Sequence, residues 1–136
     1  MLHVDLHKRF GEFNLDVAFE TTDGGIAALF GRSGAGKTTL VNMMAGLLRP
    51  DSGRLQIGGQ VLFDSTARVN VRPERRRVGY VFQEGRLFPH LSVKANLLYG
   101  RRFAPKGERY QDAAQIIDLL GLEGLLRRRP ATLSGG

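Results

Sequence analysis

The chain has 136 residues, 42% of them hydrophobic, which is enough for one domain with a buried core. Its 20 basic and 13 acidic residues give a net charge of +7, and arginine runs occupy residues 75–77 and 127–129. No aromatic side chains alternate with these runs to stack on bases, so we interpret the runs as solvated surfaces. The lack of cysteine excludes disulfides and thiolate metal sites. No stretch has the roughly 18 apolar residues that a membrane-spanning helix needs.

The first half of the chain begins with a predicted antiparallel strand pair. Residues 2–6 and 13–19 alternate apolar and polar side chains on either side of a turn at Gly11. Residues 26–30, IAALF, form a continuous apolar run, which is typical of a strand buried on both faces. Apolar side chains then recur at helical spacing, which predicts a helix over residues 37–48.

The second half of the chain is predicted to change from strands to helices. RLQI and QVLF, residues 54–57 and 60–63, flank a glycine pair and predict a hairpin. VGYVF, residues 78–82, predicts another buried strand. Ser92 is a candidate N-cap for a helix, residues 108–120 have helical spacing, and a shorter helix is expected after them. This mixture of strands and helices predicts an α/β fold.

The stretch GRSGAGKTT, residues 31–39, matches the phosphate-binding pattern G-x-x-x-x-G-K-[ST]. It lies between a predicted strand and a predicted helix, where backbone N–H groups and the positive end of the helix dipole can face phosphate oxygens. Lys37 would bring its charge to the β- and γ-phosphates, and the Thr38 hydroxyl would bind Mg²⁺. We therefore predict a phosphate-binding site made of Gly31, Arg32, Ser33, Gly34, Ala35, Gly36, Lys37, Thr38 and Thr39.

Two further motifs narrow the choice among the protein families that have such a phosphate-binding loop. Gln83 follows the predicted strand VGYVF, and LSGG occupies residues 133–136. With the phosphate loop, this order resembles the Walker A, Q-loop and signature motifs of the ATP-binding subunits of ABC transporters, over the whole chain. The resemblance implies a P-loop NTPase (ABC ATPase) core with an N-terminal antiparallel β-subdomain over residues 1–83. It also implies a partial helical subdomain over residues 84–136.

The same resemblance implies roles for residues outside the phosphate loop. Phe10 would stack on adenine, although a core aromatic at a strand end is the alternative interpretation. Gln83 would act in catalysis by reaching Mg²⁺ and the attacking water through its side-chain amide. Ser134, Gly135 and Gly136 would contact the γ-phosphate of ATP held by a second copy of the chain.

The resemblance also implies a reaction and its partners. The complete protein would hydrolyse ATP with Mg²⁺ at the cytoplasmic face of the inner membrane. It would act there as a peripheral homodimer bound to an integral-membrane permease. A periplasmic binding protein would be only an indirect partner. The stretch RRVGYVFQEGRLFPHLSVKANLLYG is similar to the ATPases of molybdate importers, and importers of sulfate and other anions share much of it. Leu87 and Phe88 would lie in the groove for a permease helix, unless Phe88 packs within its own domain. No nucleic-acid partner is expected.

Other function classes explain fewer of the motifs. A small-molecule kinase would need a lid with catalytic arginines and would have no use for LSGG. DNA-acting ABC ATPases carry long insertions between Walker A and the signature, and this sequence has none. The family places the Walker B aspartate, the catalytic glutamate and the switch histidine after the signature, so we expect a piece of a longer protein that is inactive alone. His3, His7 and His90 do not match the switch position and are expected on the surface.

Overall fold

The computed structural model describes residues 1–104 and 113–133. The chain divides into two compact units, Met1–Tyr80 and Val81–Gly136. The first unit contains a five-stranded sheet, one α-helix and a short 3-10 helix, and the second contains short helices and turns. The domain division after residue 83 stays a prediction. Within the described ranges, no helix is long and apolar enough to cross a membrane.

The sheet of the first unit is antiparallel throughout. Both predicted hairpins are confirmed, because the first two strands pair with each other and so do the third and fourth. The fifth strand is two residues long and was not expected from the sequence. In spatial order β2-β1-β3-β4-β5, the strands are β1 (Leu2–Phe10), β2 (Phe13–Thr21), β3 (Ser52–Ile57), β4 (Gln60–Asp64) and β5 (Val69–Asn70).

The hydrophobic core of this unit is shared by the sheet and helix α1, which spans Lys37–Ala45. Leu40 and Met43 of α1 are buried, as their helical spacing predicts. Each fully buried side chain of this size stabilises the fold by about 1.5–3 kcal/mol. Because the sheet and α1 share this core, the chain packs α1 against the sheet between β2 and β3. The buried cluster comprises Val4, Leu6, Leu15, Leu40, Met43, Leu55, Leu62 and Phe63.

Helix α1 ends earlier than predicted. Its C-cap is Gly46, with a left-handed φ of 82°, two residues before the predicted helix end at residue 48. The Leu47 N–H turns back to the Asn42 carbonyl at 2.9 Å, which closes the helix end. Leu47, which falls within the helix predicted over residues 37–48, is consequently outside the helix and half exposed.

The two predicted buried strands are wrong. Residues 26–30 and 78–82 contain no strand, and Ile26, Phe30 and Val81 are 100%, 93% and 96% exposed. A strand of this kind is stabilised by hydrogen bonds to neighbouring strands and by helices that cover its faces. The described residues provide no neighbouring strand for either segment, so an apolar composition alone does not produce one.

The prediction that the arginine run at residues 75–77 is solvated is wrong for its middle member. Arg75 and Arg77 are exposed, but Arg76 is only 4% exposed. A one-turn 3-10 helix at Pro73–Arg75 precedes Arg76 and rotates successive side chains to different sides of the chain. Three identical neighbours therefore have two different environments.

The second unit contains α2 (Val93–Tyr99) and α3 (Ala113–Leu119). Ser92 is the N-cap of α2, as predicted, since its Oγ accepts a hydrogen bond from the Ala95 N–H at 3.2 Å. Residues 108–112 of the predicted third helix lie outside the described residues. The shorter helix expected after it is replaced by two separate 3-10 turns, at Glu123–Leu125 and Pro130–Thr132.

Candidate functional site

The predicted phosphate loop leads into α1 with the geometry that an anion site needs. Gly34 and Gly36 have φ values of 80° and 89°, which turn the backbone around the loop. Gly36 is the N-cap of α1, and no side chain in the described part of the chain caps this end. The first-turn N–H groups, at Lys37, Thr38 and Thr39, have no acceptor within the helix, and the helix dipole adds a positive field there. The loop therefore presents donors for phosphate oxygens.

The Lys37 side chain folds back over this loop. Its Nζ donates hydrogen bonds to the carbonyls of Gly31 and Arg32, both at 2.8 Å. The Ala35 N–H also donates to the Arg32 carbonyl, at 3.2 Å. These contacts hold a positive charge beside the open N-terminus of α1, where it can meet the oxygens of a terminal phosphate.

The loop lines a cavity of about 530 Å³ together with two aromatic residues. Phe10 and Phe13 are paired across the β1–β2 hairpin and are 44% and 42% exposed. Opposite residues of an antiparallel pair lie on the same face, so both rings stand on one side of the hairpin. Sequence reasoning identified Phe10 and missed Phe13, although its position directly after the turn is the signal that pairs it with Phe10. The other lining residues are Ser33, Gly34, Ala35, Gly36, Lys37, Thr38 and Thr39.

β2 packs directly against the phosphate loop. A Cβ on Gly36 would lie 2.7 Å from Leu15 Cδ1 and 3.4 Å from Phe13 Cζ. Leu15 is 6% exposed and belongs to the core. The hydrophobic core of the unit thus contacts the phosphate loop through Leu15. Because a Cβ at position 36 would clash with this side chain, only glycine fits there.

Charged residues fix the end of the hairpin that carries Phe10. Lys8 Nζ donates to Asp51 Oδ1 at 2.6 Å, and the Arg9 N–H donates to Asp51 Oδ2 at 2.9 Å. The hydrogen bond from Lys8 is the main reason that the pKa of Asp51 is lowered. Lys8 Nζ also lies 5.7 Å from the centre of the Phe10 ring, which places a cation near the aromatic side of the cavity.

The remaining predicted site residues lie elsewhere in the chain. Gln83 is exposed and belongs to the second unit, and its action at the phosphate loop stays a prediction. Ser134, Gly135 and Gly136 lie outside the described residues. The structure thus brings together Phe10 and residues 33–39 of the predicted phosphate loop around one cavity, whereas the predicted residues Gly31 and Arg32 do not line it.

The loop after Gln83 has a defined structure of its own. Asn96 of α2 receives a hydrogen bond from the Phe88 N–H at 2.8 Å and donates to the Phe88 carbonyl at 3.2 Å. The ring of Phe88 lies 4.3 Å from that of Tyr99, so this side chain packs partly within its own unit. Phe88 is nevertheless 39% exposed, and its neighbour Leu87 is 47% exposed.

Magnesium bound with a nucleotide fits the donor set of this loop. Mg²⁺ keeps several waters and needs only one or two protein ligands beside the phosphate oxygens. Thr38 lines the cavity next to Lys37, and its hydroxyl would be available as one such ligand. Among the described residues, no group of three or more His, Asp or Glu side chains could hold a metal ion. A metal here would therefore depend on the phosphates.

The sequence model of the ABC transporter family matches residues 15–136. The chain belongs to this family. The family assignment confirms the resemblance that the phosphate loop, Gln83 and the closing glycines indicated in the sequence.

Curated relatives within the family align with almost the whole length of the chain. The molybdenum import ATP-binding protein ModC of Paramagnetospirillum magneticum is 55% identical over 136 residues, 100% of this chain and 37% of the relative. ModC of Rhizobium etli is 58% identical over 135 residues, 99% of this chain and 38% of the relative. ModC of Rhodospirillum rubrum is 53% identical over 136 residues, 100% of this chain and 36% of the relative. The chain thus spans little more than a third of the length of these relatives.

Solved structures establish the fold. A bacterial ABC transporter cassette, solved as a dimer, superposes with a TM-score of 0.73 at 24% identity, covering 99% of this chain and 64% of that one. CbiO1 from Clostridium perfringens, part of an ABC transporter complex, gives 0.70 at 24% identity, covering 98% and 55%. The predicted α/β fold of an ABC ATPase is confirmed.

Proposed function

We propose that this chain is the nucleotide-binding part of an ABC importer ATPase that couples hydrolysis of Mg-ATP to the uptake of molybdate. The observation that carries the proposal is the cavity of about 530 Å³ that Phe10, Lys37 and the start of α1 line together. It combines an aromatic face, a fixed ammonium group and unpaired backbone donors, which are the groups that a base and its phosphates require. Identities of 53–58% to ModC proteins support the choice of molybdate.

In this proposal the residues of the first unit bind and orient ATP. Phe10 stacks on adenine, and the N–H groups at the start of α1 hold the phosphates. Lys37, now 2.8 Å from two loop carbonyls, turns its charge to the β- and γ-phosphate oxygens. The Thr38 hydroxyl would hold Mg²⁺, and the ion would supply charge neutralisation at the phosphates. These contacts position the γ-phosphate for in-line attack by water.

The proposal also gives roles to Gln83 and to residues 134–136. Gln83 orients the attacking water through its amide, which both donates and accepts. Ser134, Gly135 and Gly136 contact the γ-phosphate bound by a second copy of the chain, so hydrolysis requires a dimer. The solved structure of a dimeric ABC cassette with the same fold supports this arrangement.

The proposed function in an importer implies partner proteins. We propose that the homodimer lies at the cytoplasmic face of the inner membrane, where it binds an integral permease and acts only indirectly on a periplasmic binding protein. ATP closes the dimer, and the permease moves with it. No nucleic-acid partner is part of the proposal, since no aromatic side chains alternate with the arginine runs at residues 75–77 and 127–129 to stack on bases.

An importer of sulfate or another anion is the second candidate, because the ATPase subunit itself does not touch the transported ion. This alternative is supported by the stretch around Gln83, which is also similar to the ATPases of sulfate and other anion importers. Competition between labelled molybdate and labelled sulfate in vesicles that contain the complete transporter separates the two. Faster uptake of sulfate would reject molybdate and leave the ATPase assignment intact.

The ATPase assignment is tested by Lys37→Ala in the complete protein, with Lys94→Ala as the control. Lys94 is an exposed lysine of α2. Saturating ATP should stabilise the wild type and the control by about 2.7 kcal/mol at a hundredfold excess over Kd, and Lys37→Ala should lose most of this protection. Equal thermal shifts in all three proteins would reject the phosphate site.

A further inference from the structure

The end of the β1–β2 hairpin that carries Phe10 extends past the rest of the sheet. The register of β1 with β3 ends at the pair His7–Ser52, and among the described strands residues 8–10 of β1 pair only with β2. A two-stranded hairpin by itself is marginally stable in water. Phe10 is also 44% exposed, so burial does not fix its ring. The position of this aromatic side chain at the cavity therefore depends on further contacts.

Asp51 makes such contacts directly before β3 begins. Its carboxylate accepts from Lys8 Nζ at 2.6 Å and from the Arg9 N–H at 2.9 Å, and its own N–H donates to the His7 carbonyl at 2.9 Å. One residue thus contacts three successive residues of β1, beside the last β1–β3 pair. These bonds extend the attachment of β1 by two residues beyond its pairing with β3.

Lys8 connects this attachment to the aromatic ring. Lys8 and Phe10 are two residues apart in β1, so their side chains lie on the same face of the strand. Lys8 Nζ is 5.7 Å from the centre of the Phe10 ring, within the range of a cation–π contact. A lysine has a flexible four-carbon stem, so its ammonium group keeps a defined place only when a partner fixes it. Asp51 is that partner.

Asp51 also lies close in the chain to the helix that carries the phosphate loop. α1 begins at Lys37, and its C-cap at Gly46 is five residues before Asp51. The connection between them is ordered, because Pro50 is buried and the Leu48 N–H donates to a carbonyl of α1 at 3.2 Å. A helix of nine residues is a rigid rod of roughly 13 Å. The aromatic side of the cavity and its phosphate loop are therefore joined by α1 and a short connection that ends at Asp51.

We propose that Asp51 and Lys8 are positioning residues for the base of the nucleotide. Asp51 fixes the Lys8 ammonium group, and Lys8 fixes the Phe10 ring in the orientation that stacks on adenine. The inference rests on the proposed function, which assigns the stacking to Phe10. The described lining of the cavity includes Phe10 but neither Lys8 nor Asp51, so both act through the ring. Their contribution should appear only with ligands that carry a base.

The experiment compares ATP with inorganic tripolyphosphate by calorimetric titration of the complete protein. We define the base advantage as the Kd for tripolyphosphate divided by the Kd for ATP. A change in the net charge of the protein shifts both Kd values in the same direction through the phosphates, so the base advantage isolates the contribution of adenine.

Asp51→Asn and Lys8→Met should each lower the base advantage about threefold, since a cation–π contact at a partly exposed site contributes an effect of that order. Asparagine has the shape of aspartate and can still accept from the Arg9 N–H, so the fold is retained. Lys8→Arg keeps both the cation and its ion pair, and it should keep most of the wild-type base advantage.

Asp64→Asn is the matched control. Asp64 also joins a cationic side chain to backbone donors, because its Oδ2 lies 3.6 Å from Arg54 Nη1 and its Oδ1 accepts from the N–H groups of Thr66 and Ala67, both at 2.9 Å. It belongs to β4, which is not adjacent to β1 in the sheet. Asp64→Asn should therefore keep the wild-type base advantage even where it lowers stability.

A double variant tests whether Asp51 acts through the ring. Asp51→Asn combined with Phe10→Ala should have the base advantage of Phe10→Ala alone, and additive losses would contradict the inference. A lower melting temperature of Asp51→Asn with an unchanged base advantage would give the Lys8–Asp51 pair a structural role only, and would overturn the inference.

The same titrations separate this inference from the proposed function. Wild-type affinity of Lys37→Ala for both ligands would defeat the phosphate site, and an unchanged base advantage in Phe10→Ala would defeat the stacking; the inference fails with either. A reduced base advantage in Phe10→Ala, beside a wild-type value in Asp51→Asn and Lys8→Met, would defeat the positioning role alone.

Discussion

Leu15 and Gly36 are in such close contact that a methyl group on the glycine would lie 2.7 Å from Leu15 Cδ1. Leu15 is part of the core, and Gly36 is the N-cap of the helix at the phosphate cavity. Packing of the sheet and geometry of the phosphate loop are therefore linked through one contact. Changes at Gly36 should alter both stability and nucleotide binding.

Gly36→Ala and Gly34→Ala separate backbone strain from packing. Both glycines have φ between 80° and 89°, but a Cβ on Gly34 meets nothing within 4 Å. Gly34→Ala should lower the free energy of unfolding by about 1–2 kcal/mol, the cost of a left-handed alanine. Gly36→Ala adds overpacking against Leu15, for a total of about 2–5 kcal/mol. Denaturant titration of both variants measures the difference, and equal losses would contradict the contact.

The double variant Leu15→Ala with Gly36→Ala provides the control. Leu15→Ala alone should cost about 2–5 kcal/mol, because it leaves a cavity in the core. The alanine at position 36 can then fill part of that space, so the two losses should add to more than the loss in the double variant. Additive losses would mean that Gly36 and Leu15 do not contact each other in solution.

Phe10→Ala tests the aromatic side of the cavity. Loss of stacking should raise the Kd for ATP about tenfold, which corresponds to roughly 1.4 kcal/mol. Inorganic tripolyphosphate lacks a base, so its affinity should not change. Phe10→Tyr keeps the ring and should bind ATP as the wild type does. Calorimetric titration with both ligands checks this, and equal losses for the two would assign Phe10 to loop support and not to the base.

Phe13→Ala should behave differently from Phe10→Ala. Its ring lines the same cavity and also approaches Gly36, with Cζ 3.4 Å from the place of a Cβ there. We expect weaker binding of both ATP and tripolyphosphate, because the ring supports the phosphate loop as well as the cavity. A loss restricted to ATP would instead place Phe13 against the base.

His7 should make stability depend on pH. Its Nδ1 lies 2.7 Å from Asp16 Oδ1, and this hydrogen bond is the main reason that its pKa is raised above 6.5, with the charge of Asp5 adding to it. Because the folded pKa exceeds the unfolded one, the stabilisation is fully present below about pH 6.5 and is lost as pH rises through the folded value. It should not exceed about 1 kcal/mol, since the side chain is half exposed.

The measurement for His7 compares unfolding free energies of the wild type and His7→Gln at about pH 5.5 and about pH 8.5. The advantage of the wild type should be larger at the lower pH. Asp16→Asn removes the first cause of the shift and should reduce this difference. A larger advantage at the higher pH would have the wrong sign and would reject the explanation.

Local patterns in the sequence predicted the parts of the fold that depend on near neighbours. The alternation before and after Gly11 gave both strands of a hairpin, because a tight turn sets the register between them. Ser92 was recognised as an N-cap because its partner, the Ala95 N–H, lies three residues away. The phosphate loop was recognised for the same reason, since its donors follow one another in the chain.

Features that depend on distant partners were mispredicted. The apolar run at residues 26–30 lacks a neighbouring strand among the described residues, and hydropathy cannot supply one. Arg76 appeared as one of three solvated arginines, because its acceptors Met43 and Met44 lie more than thirty residues earlier in the chain. Phe13 contributes to the cavity only after the hairpin has paired it with Phe10.

Leu87→Cys tests the proposed contact with the permease. Leu87 is 47% exposed, next to a loop that Asn96 holds by its hydrogen bonds to Phe88. In the complete transporter, the cysteine should cross-link to a cytoplasmic loop of the permease with a yield that changes on adding ATP. Phe88→Cys should react less, because the Phe88 backbone is fixed and its ring position lies against Tyr99. Leu119→Cys, at a residue 82% exposed on α3, is the matched control and should not cross-link.

Asn96→Ala provides an independent test of the same surface. It releases the Phe88 backbone, so the loop beside Leu87 should become more mobile and the Leu87→Cys cross-link should lose its dependence on ATP. Nucleotide binding should be unchanged, since Asn96 belongs to α2 and does not line the phosphate cavity. Mass spectrometry identifies the cross-linked peptides. Cross-links that join Leu87→Cys only to its own subunit, with or without Asn96→Ala, would mean that this loop packs within the ATPase and does not bind the permease.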